Sequence, residues 1–279
     1  MSNNEQMCYN CNSGESQLFL EENGFNLVKC NGCGILYINN PPTGGEIEVA
    51  TTTGIHDGEK QLDVNVRYRK SADRLYRKVL PKLFPDGFSD VNTWLDVGCG
   101  YGEFLETLQN YSRNSVELFG SEPNVIKQQA AQKMGMNVSY YDLDEHDTKY
   151  DVVSLLNVYS HLPNPFEFIK SLRNVVSPGG FLLIQTGDIT SVTRESLIKP
   201  AGLPDHLSFA TESALISMLD RVGFDIESVV KIPSIAFTLD QVAKEVVKLI
   251  LPNKSSFLKY YFLPKKTQSQ SMFVLARLR

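Results

Sequence analysis

Four cysteines fall within the first 33 residues as Cys8-x2-Cys11 and Cys30-x2-Cys33, with 18 residues between the pairs. Two thiolates three residues apart grip one tetrahedral ion only across a tight turn, and this C-x2-C-x18-C-x2-C spacing is that of a zinc ribbon. Asn12 after Cys11 and Gly34 after Cys33 tolerate the left-handed backbone that such turns often require. The alternatives are two disulfides or four free thiols. The chain opens on MSNNEQ, without a charged segment leading into an apolar one, so disulfides are disfavoured. Four cysteines fill the tetrahedron and leave no position for water, so the expected Zn2+ is structural.

A second chemical group begins in "TWLDVGCGYGEFLETL", residues 93–108, where an apolar run enters three glycines at alternate positions and then a helical pattern. A dinucleotide fingerprint G-x-G-x-x-G would use Gly98 and Gly100 and need glycine at position 103, but Glu103 stands there and opposes a pyrophosphate. The glycines fall instead at Gly98, Gly100 and Gly102, after Asp96 at the strand end. Glycines let the backbone lie close to a ligand, and the carboxylate suits one that carries an amino group. Glu122, 24 residues after Gly98 in "LFGSEPN", can accept both hydroxyls of a ribose. Asp142 in "VSYYDLDE" can accept from an adenine amino group. The structural alternatives are that Glu122 caps the helix after Pro123 and that Asp142 is a turn residue.

These residues need a scaffold that delivers strand ends to one edge. Short apolar runs alternate with helical ones beyond residue 90, giving expected strands near 92–97, 116–121, 137–141, 151–156, 180–185, 224–230 and 271–278. Helices are expected near 102–110, 124–134, 165–176 and 211–222. The alternation implies an α/β fold, a doubly wound and mostly parallel sheet, with the last strand antiparallel at or near its edge. Residues 1–40 form the expected zinc-ribbon module, and 41–90 a connector with an amphipathic helix. In that helix Val64, Tyr68, Ala72, Leu75, Tyr76, Val79 and Leu80 recur at helical spacing, and it ends near Pro81 or Pro85. Residues 91–279 form the main domain.

The chain has 279 residues, 42% hydrophobic and 21% charged, enough for one sizeable core and a small accessory module. No window approaches the ~18 apolar residues of a membrane span, so a cytoplasmic location is the default expectation. The net charge of −5 is uneven: residues 66–82 hold seven Lys/Arg against Asp73, and residues 254–279 hold six with no acid. The cysteine module itself is acidic, with Glu5, Glu15, Glu21 and Glu22 against Lys29, which argues against nucleic acid as its partner.

From about residue 91 to the end, the chain resembles the class I S-adenosylmethionine-dependent methyltransferases. The resemblance runs through "LDVGCGYG", "GSEPN", "YDVVSLLNVYSHLPNP", "VVSPGGFLLIQT" and "DHLSFATESALISMLDRVGF" in order. The segment "KCNGCGILYINNPP" is similar to a cysteine-rich module found in a subgroup frequent among bacterial enzymes of surface-polysaccharide and specialised small-molecule synthesis. The resemblance implies a Rossmann-like seven-stranded sheet and S-adenosyl-L-methionine at Asp96, Gly98, Gly100, Gly102, Glu122, Pro123 and Asp142, with Asn157 beside it. The chain departs from the pattern in carrying Ser160-His161 where relatives commonly have Glu-His, and "QTGDIT" where many have an acid or Pro-Asn. No catalytic base is carried over.

A sulfonium methyl is already activated, so such an enzyme mainly aligns the reacting atoms and excludes water. A base is needed only for a protonated acceptor, and the candidates near the expected strand ends are Tyr159, His161 and His206. His161 has a structural alternative as the cap of the turn at Leu162-Pro163, and His206 as a loop histidine bonded to backbone. The leading expectation is methyl transfer to a small molecule, a sugar, nucleotide sugar or related intermediate, whose anionic form the basic segments could face. The alternatives are an RNA methyltransferase, weakened by the acidic module, and a non-catalytic cofactor-binding module.

Overall fold

Hydrophobic strands that alternate between two buried faces dominate the chain. A computed structural model describes residues 6–53, 55–56, 60–61, 70–112, 115–194, 201–233 and 270–279. Val64 and Tyr68 of the expected amphipathic helix, and most of the basic stretch from residue 254, lie outside the described residues.

The N-terminal part holds β1 (Ser16–Glu22), β2 (Phe25–Cys30) and β3 (Leu36–Ile38), paired antiparallel in that order. After it comes a helix, α1 (Gly44–Thr53), where turn formers pointed to a connector. Its origin is a reciprocal cap. Glu46 Oε2 accepts the Thr43 amide at 2.7 Å while Thr43 Oγ1 accepts the Glu46 amide at 3.4 Å. The T-x-x-E signal outweighs the glycines, and the helix buries no residue. Two short strands, β4 (Ile55–His56) and β5 (Lys60–Gln61), follow.

Helix α2 (Lys70–Leu83) runs through Pro81 and stops before Pro85. Proline inside a helix forfeits one backbone hydrogen bond. The burial of Val79, Leu80 and Leu83 beside Trp94 and Phe104 offsets that loss.

The main sheet contains β6 (Thr93–Val97), β7 (Glu117–Ser121), β8 (Val138–Ser139), β9 (Tyr150–Leu156), β10 (Val176–Asp188), β12 (Phe224–Pro233) and β13 (Gln270–Leu278). The spatial order is β12-β13-β10-β9-β6-β7-β8. β6 pairs parallel with both β7 and β9, and β10 pairs parallel with β9. β13 lies one place from the edge, antiparallel to both β10 and β12. Helices α3 (Glu103–Ser112), α4 (Val125–Lys133), α5 (Pro165–Val175) and α6 (Glu212–Val222) cover the faces. Val152 belongs to the core under α2 and α3, while its neighbour Val153 belongs to the core under α5 and α6, as buried parallel strands require. The third expected strand shrinks to two residues because β8 is an edge, paired only at Gly120↔Val138 and Ser121↔Ser139.

Successive connections from β6 run one way across the sheet to β7 and β8, and from β9 the other way to β10. The crevice at this reversal, beyond the carboxyl end of β6, is where open α/β sheets bind ligands. The residues after β6 and β9 open there.

The cysteine module is not a free appendage. Its sheet takes a fourth strand, β11 (Ser208–Phe209), from beyond β10, with Ser208↔Tyr37 and Phe209↔Leu36 in register. Cys8, Tyr9, Cys30, Ile35 and Tyr37 pack into the same core as α5 and α6. Arg221 of α6 donates to the carbonyl of Asn10 and lies over the Phe166 ring at 4.3 Å.

Candidate active site and metal centre

The four cysteine sulfurs converge. Cys8 and Cys33 Sγ are 3.6 Å apart, Cys11 and Cys30 Sγ 3.4 Å, and all four lie within 4.8 Å of one another. A tetrahedral Zn–S distance of ~2.3 Å puts sulfurs ~3.8 Å apart, so the cage has the right size. The turns are left-handed where expected, with φ of 57° at Asn12 and 75° at Gly34. The hydrogen bond between Cys8 and Cys33 holds the Cys33 pKa below the ordinary thiol range and that of Cys8 above it. The donor set fits Zn2+.

At the crevice, Gly98, Gly100 and Gly102 all have positive φ: 71°, 58° and 83°. The sequence reading assigns their smallness to a ligand, and the structure divides that role. A Cβ on Gly98 would stand 2.3 Å from Val158 Cγ2, and one on Gly102 would stand 2.1 Å from Met136 Sδ. The branched Val158 therefore demands glycine at 98, whereas at 102 the flexible Met136 could move and the positive φ carries the demand. A Cβ on Gly100 would meet only Glu103 Oε2, at 3.6 Å, so this is the position with room beside it.

Glu122 is 4% exposed, and its two carboxylate oxygens accept the amides of Gly100 at 2.9 Å and Asn124 at 3.0 Å. It does not cap α4. Asn124 does, its side chain accepting from the amides of Ile126 and Lys127. Pro123 occupies the bend between Glu122 and that cap. Each Glu122 oxygen keeps lone-pair capacity for a second donor. Asp96 is buried within β6 and accepts from Ser154 Oγ at 2.5 Å. Burial, with the charges of Glu103 and Glu122 adding, pushes its carboxyl up to about 7 against the bond from Ser154. Three carboxyl groups thus gather around one glycine turn.

Asp142 is exposed and its carboxylate accepts the Asp144 amide at 3.1 Å, a turn role that leaves further acceptor capacity. Asn157 is exposed at the end of β9 with φ 59°, a left-handed conformation away from glycine. Its amide donates to the Gln185 carbonyl.

Of the three candidate bases, the structure joins two. His161 and His206 rings lie 4.8 Å apart, and with Asp205 their ligand-type atoms fall within 4.8 Å of one another. His161 Nδ1 is 2.8 Å from the Asp205 carbonyl and 3.3 Å from its carboxylate. His206 Nδ1 is 2.9 Å from Ser160 Oγ, so its partner is a side chain rather than backbone. The His161 ring bonds Asp205 across the loop rather than the turn at Leu162-Pro163, and the helix beyond that turn, α5, is capped by Asn164, which accepts the Glu167 amide. Burial favours neutral His161, but the bonds and charge of Asp205 outweigh it and raise the pKa. Burial, then the neighbouring His161, lowers that of His206. Tyr159 stands apart: it is fully buried and its hydroxyl meets that of Tyr9 at 3.1 Å, while burial raises its pKa. Its hydroxyl joins the cysteine module to the strand end rather than the histidine pair.

Four residues are given no site role by the sequence patterns: Ser154, Ser160 and Asp205, which bond Asp96, His206 and His161, and Glu22, which bonds the loop that carries His206. Asp205 and Ser160 adjoin the two histidines in sequence, a signal that adjacency could supply. Ser154 and Glu22 act across the sheet and across the module, and no local pattern marks them.

A family model described as a methyltransferase domain matches residues 68–229. The ubiquinone biosynthesis O-methyltransferase of Shewanella pealeana is 32% identical over 143 residues, 46% of this chain and 61% of that protein. The chain thus spans about three-fifths of the length of that relative. Among solved structures, the magnesium protoporphyrin IX methyltransferase from Synechocystis PCC 6803 with bound SAH is similar at a TM-score of 0.53 and 18% identity, covering 83% of this chain and 97% of that one. A SAM-dependent methyltransferase from Archaeoglobus fulgidus gives a TM-score of 0.52 at 21% identity, covering 74% and 94%. Those two likenesses are of fold. With the family match over more than half of its length, on a seven-stranded sheet that reverses direction between β6 and β9, the chain belongs to the methyltransferase-domain family and has its class I architecture.

Proposed function

We propose that this chain binds S-adenosylmethionine at the turn after β6 and methylates an oxygen of a small molecule held beside His161 and His206. The observation that carries the reading is the gathering of Asp96, Glu103 and Glu122 around the left-handed glycine turn. Such a site favours a ligand with sulfonium and ammonium charges and repels a pyrophosphate. Glu122, fixed by two backbone amides, offers its remaining lone pairs to ribose hydroxyls. Asp142 is the acceptor for the adenine amino group, and Asn157 lines the cofactor from the end of β9. The bound cofactor supplies a methyl group that is already activated.

What remains for the protein is alignment, exclusion of water and a proton acceptor. With Nδ1 protonated toward Ser160, His206 keeps a lone pair on Nε2. Its lowered pKa leaves it neutral and ready at pH 7, and the proton of the acceptor hydroxyl passes to Nε2. That the relative from Shewanella pealeana is named an O-methyltransferase supports oxygen as the methylated atom. The likeness of the cysteine module to that of surface-polysaccharide enzymes supports a sugar or nucleotide-sugar hydroxyl among small acceptors, and structural Zn2+ in the four-cysteine cage completes the reading.

The test is transfer of labelled methyl from S-adenosylmethionine to a panel of phenols, sugars and nucleotide sugars, with RNA alongside. A labelled small molecule that is stable as a methyl ether supports the reading, and label in RNA alone overturns it. On the acceptor so found, His206→Ala should lose ~10²–10⁴-fold in turnover while affinity for S-adenosylhomocysteine is unchanged. Full turnover would remove His206 from catalysis.

A further inference from the structure

The tip of the β1–β2 hairpin reaches the loop that carries His206. Glu22 accepts three successive backbone amides of that loop: Ala201 on Oε2 at 2.7 Å, and Gly202 and Leu203 on Oε1 at 2.8 and 3.0 Å. Asn23 adds a bond from Nδ2 to the Leu203 carbonyl at 2.7 Å. Consecutive amides converging on one anion form a nest, and Gly202, at φ 82°, provides the left-handed residue that turns them inward. The Gly202 carbonyl then accepts the His206 amide at 3.0 Å, and a Cβ at Gly202 would come within 3.0 Å of the His206 ring. The carboxylate thus holds the first residue of the turn whose far end carries the imidazole.

The same loop is held again downstream. The Leu207 amide donates to the Ser160 carbonyl at 2.6 Å, and the Leu207 carbonyl accepts the Ile38 amide at 3.0 Å. Leu203 and Leu207 pack with Leu27, Leu36 and Ile38 of the module. The Leu207 contacts fix the end of the loop, while Leu203 and the Ser160 hydroxyl on the His206 ring add to the hold of Glu22 on its turn.

The geometry points to Glu22 as a positioning residue for His206, one that sets the ring through the 201–203 nest without touching the reacting atoms. This rests on the role given to His206 above, and the experiment separates the two. In Glu22→Ala the three amides lose their common acceptor. In Glu22→Gln one oxygen remains, but the amide nitrogen now faces an N–H. The imidazole carbon resonances of His206, assigned by comparison with His206→Ala, report the ring without any acceptor or turnover. They should shift or broaden in both variants, more in Glu22→Ala, while those of His146 and the affinity for S-adenosylhomocysteine stay as in the parent protein. With an acceptor in hand, kcat should fall roughly ten- to a hundredfold in Glu22→Ala, with a smaller loss in Glu22→Gln. Unchanged His206 resonances in a folded Glu22→Ala or Glu22→Gln protein overturn the proposal. Shifted resonances combined with an active His206→Ala protein leave the positioning intact and remove the catalytic role instead.

Discussion

Glu122 and Asp96 show how two acids of one site are held for different work. Glu122 is pinned by two backbone amides, while Asp96 is buried behind the turn with a hydroxyl partner. If Glu122 binds ribose, Glu122→Ala removes charge-assisted bonds of ~1.5–3 kcal/mol each, and calorimetry with S-adenosylhomocysteine should read at least a roughly tenfold loss. Asp96 makes stability depend on pH. Its carboxyl is raised from 3.8 to about 7 on folding, so the folded chain holds that proton more tightly than the unfolded one. The stabilisation is full below about pH 3.8 and is lost as pH rises through about 7. Thermal melts of Asp96→Asn in the absence of ligand should therefore show a flatter dependence between pH 4 and 8 than the parent protein. An equally steep fall would assign the proton elsewhere.

Among the elements, β11 ties the cysteine cage to the histidine loop. It directly follows His206 and Leu207 and pairs with β3, which begins three residues after Cys33. Four-cysteine zinc binding contributes ~10–16 kcal/mol in small peptides at neutral pH, so the cage should govern how firmly β3 offers its edge. Metal analysis should find about one equivalent of zinc, as a single four-cysteine site requires. Chelation, or Cys30→Ser, should speed amide exchange at Ile38 and residues 207–210 well before it does so in β6 and β9. Equal protection with and without metal would detach the cage from the loop. Helix α1 teaches a smaller lesson. Its capping box was legible in Thr43 and Glu46, but the surrounding glycines and threonines pointed to a connector.

For the whole molecule, the shared core has a consequence for cutting it. Removing residues 1–40 would strip cover from Tyr159, Leu203 and Leu207, all buried against the module. Exposed apolar surface of this kind drives association. The truncated chain should aggregate or lose its cooperative melt on size-exclusion and calorimetry, whereas a monodisperse, sharply melting product would show an independent main domain. Among the described residues no helix is long and apolar enough to cross a membrane.

The sequence by itself determined the alternation of strands and helices, the glycine turn after β6, the acids at 96 and 122, and the cysteine spacing. Each is a local pattern: period-two and period-3.6 burial, backbone freedom, or ligand number. Only the tertiary structure decided that Gly98 is small because Val158 presses on it. It also turned Tyr159 toward Tyr9, brought His161 beside His206, and set Glu22 under a loop 180 residues away. Those outcomes depend on which surfaces meet when distant segments pack, and side-chain direction after packing leaves no periodic trace in the chain.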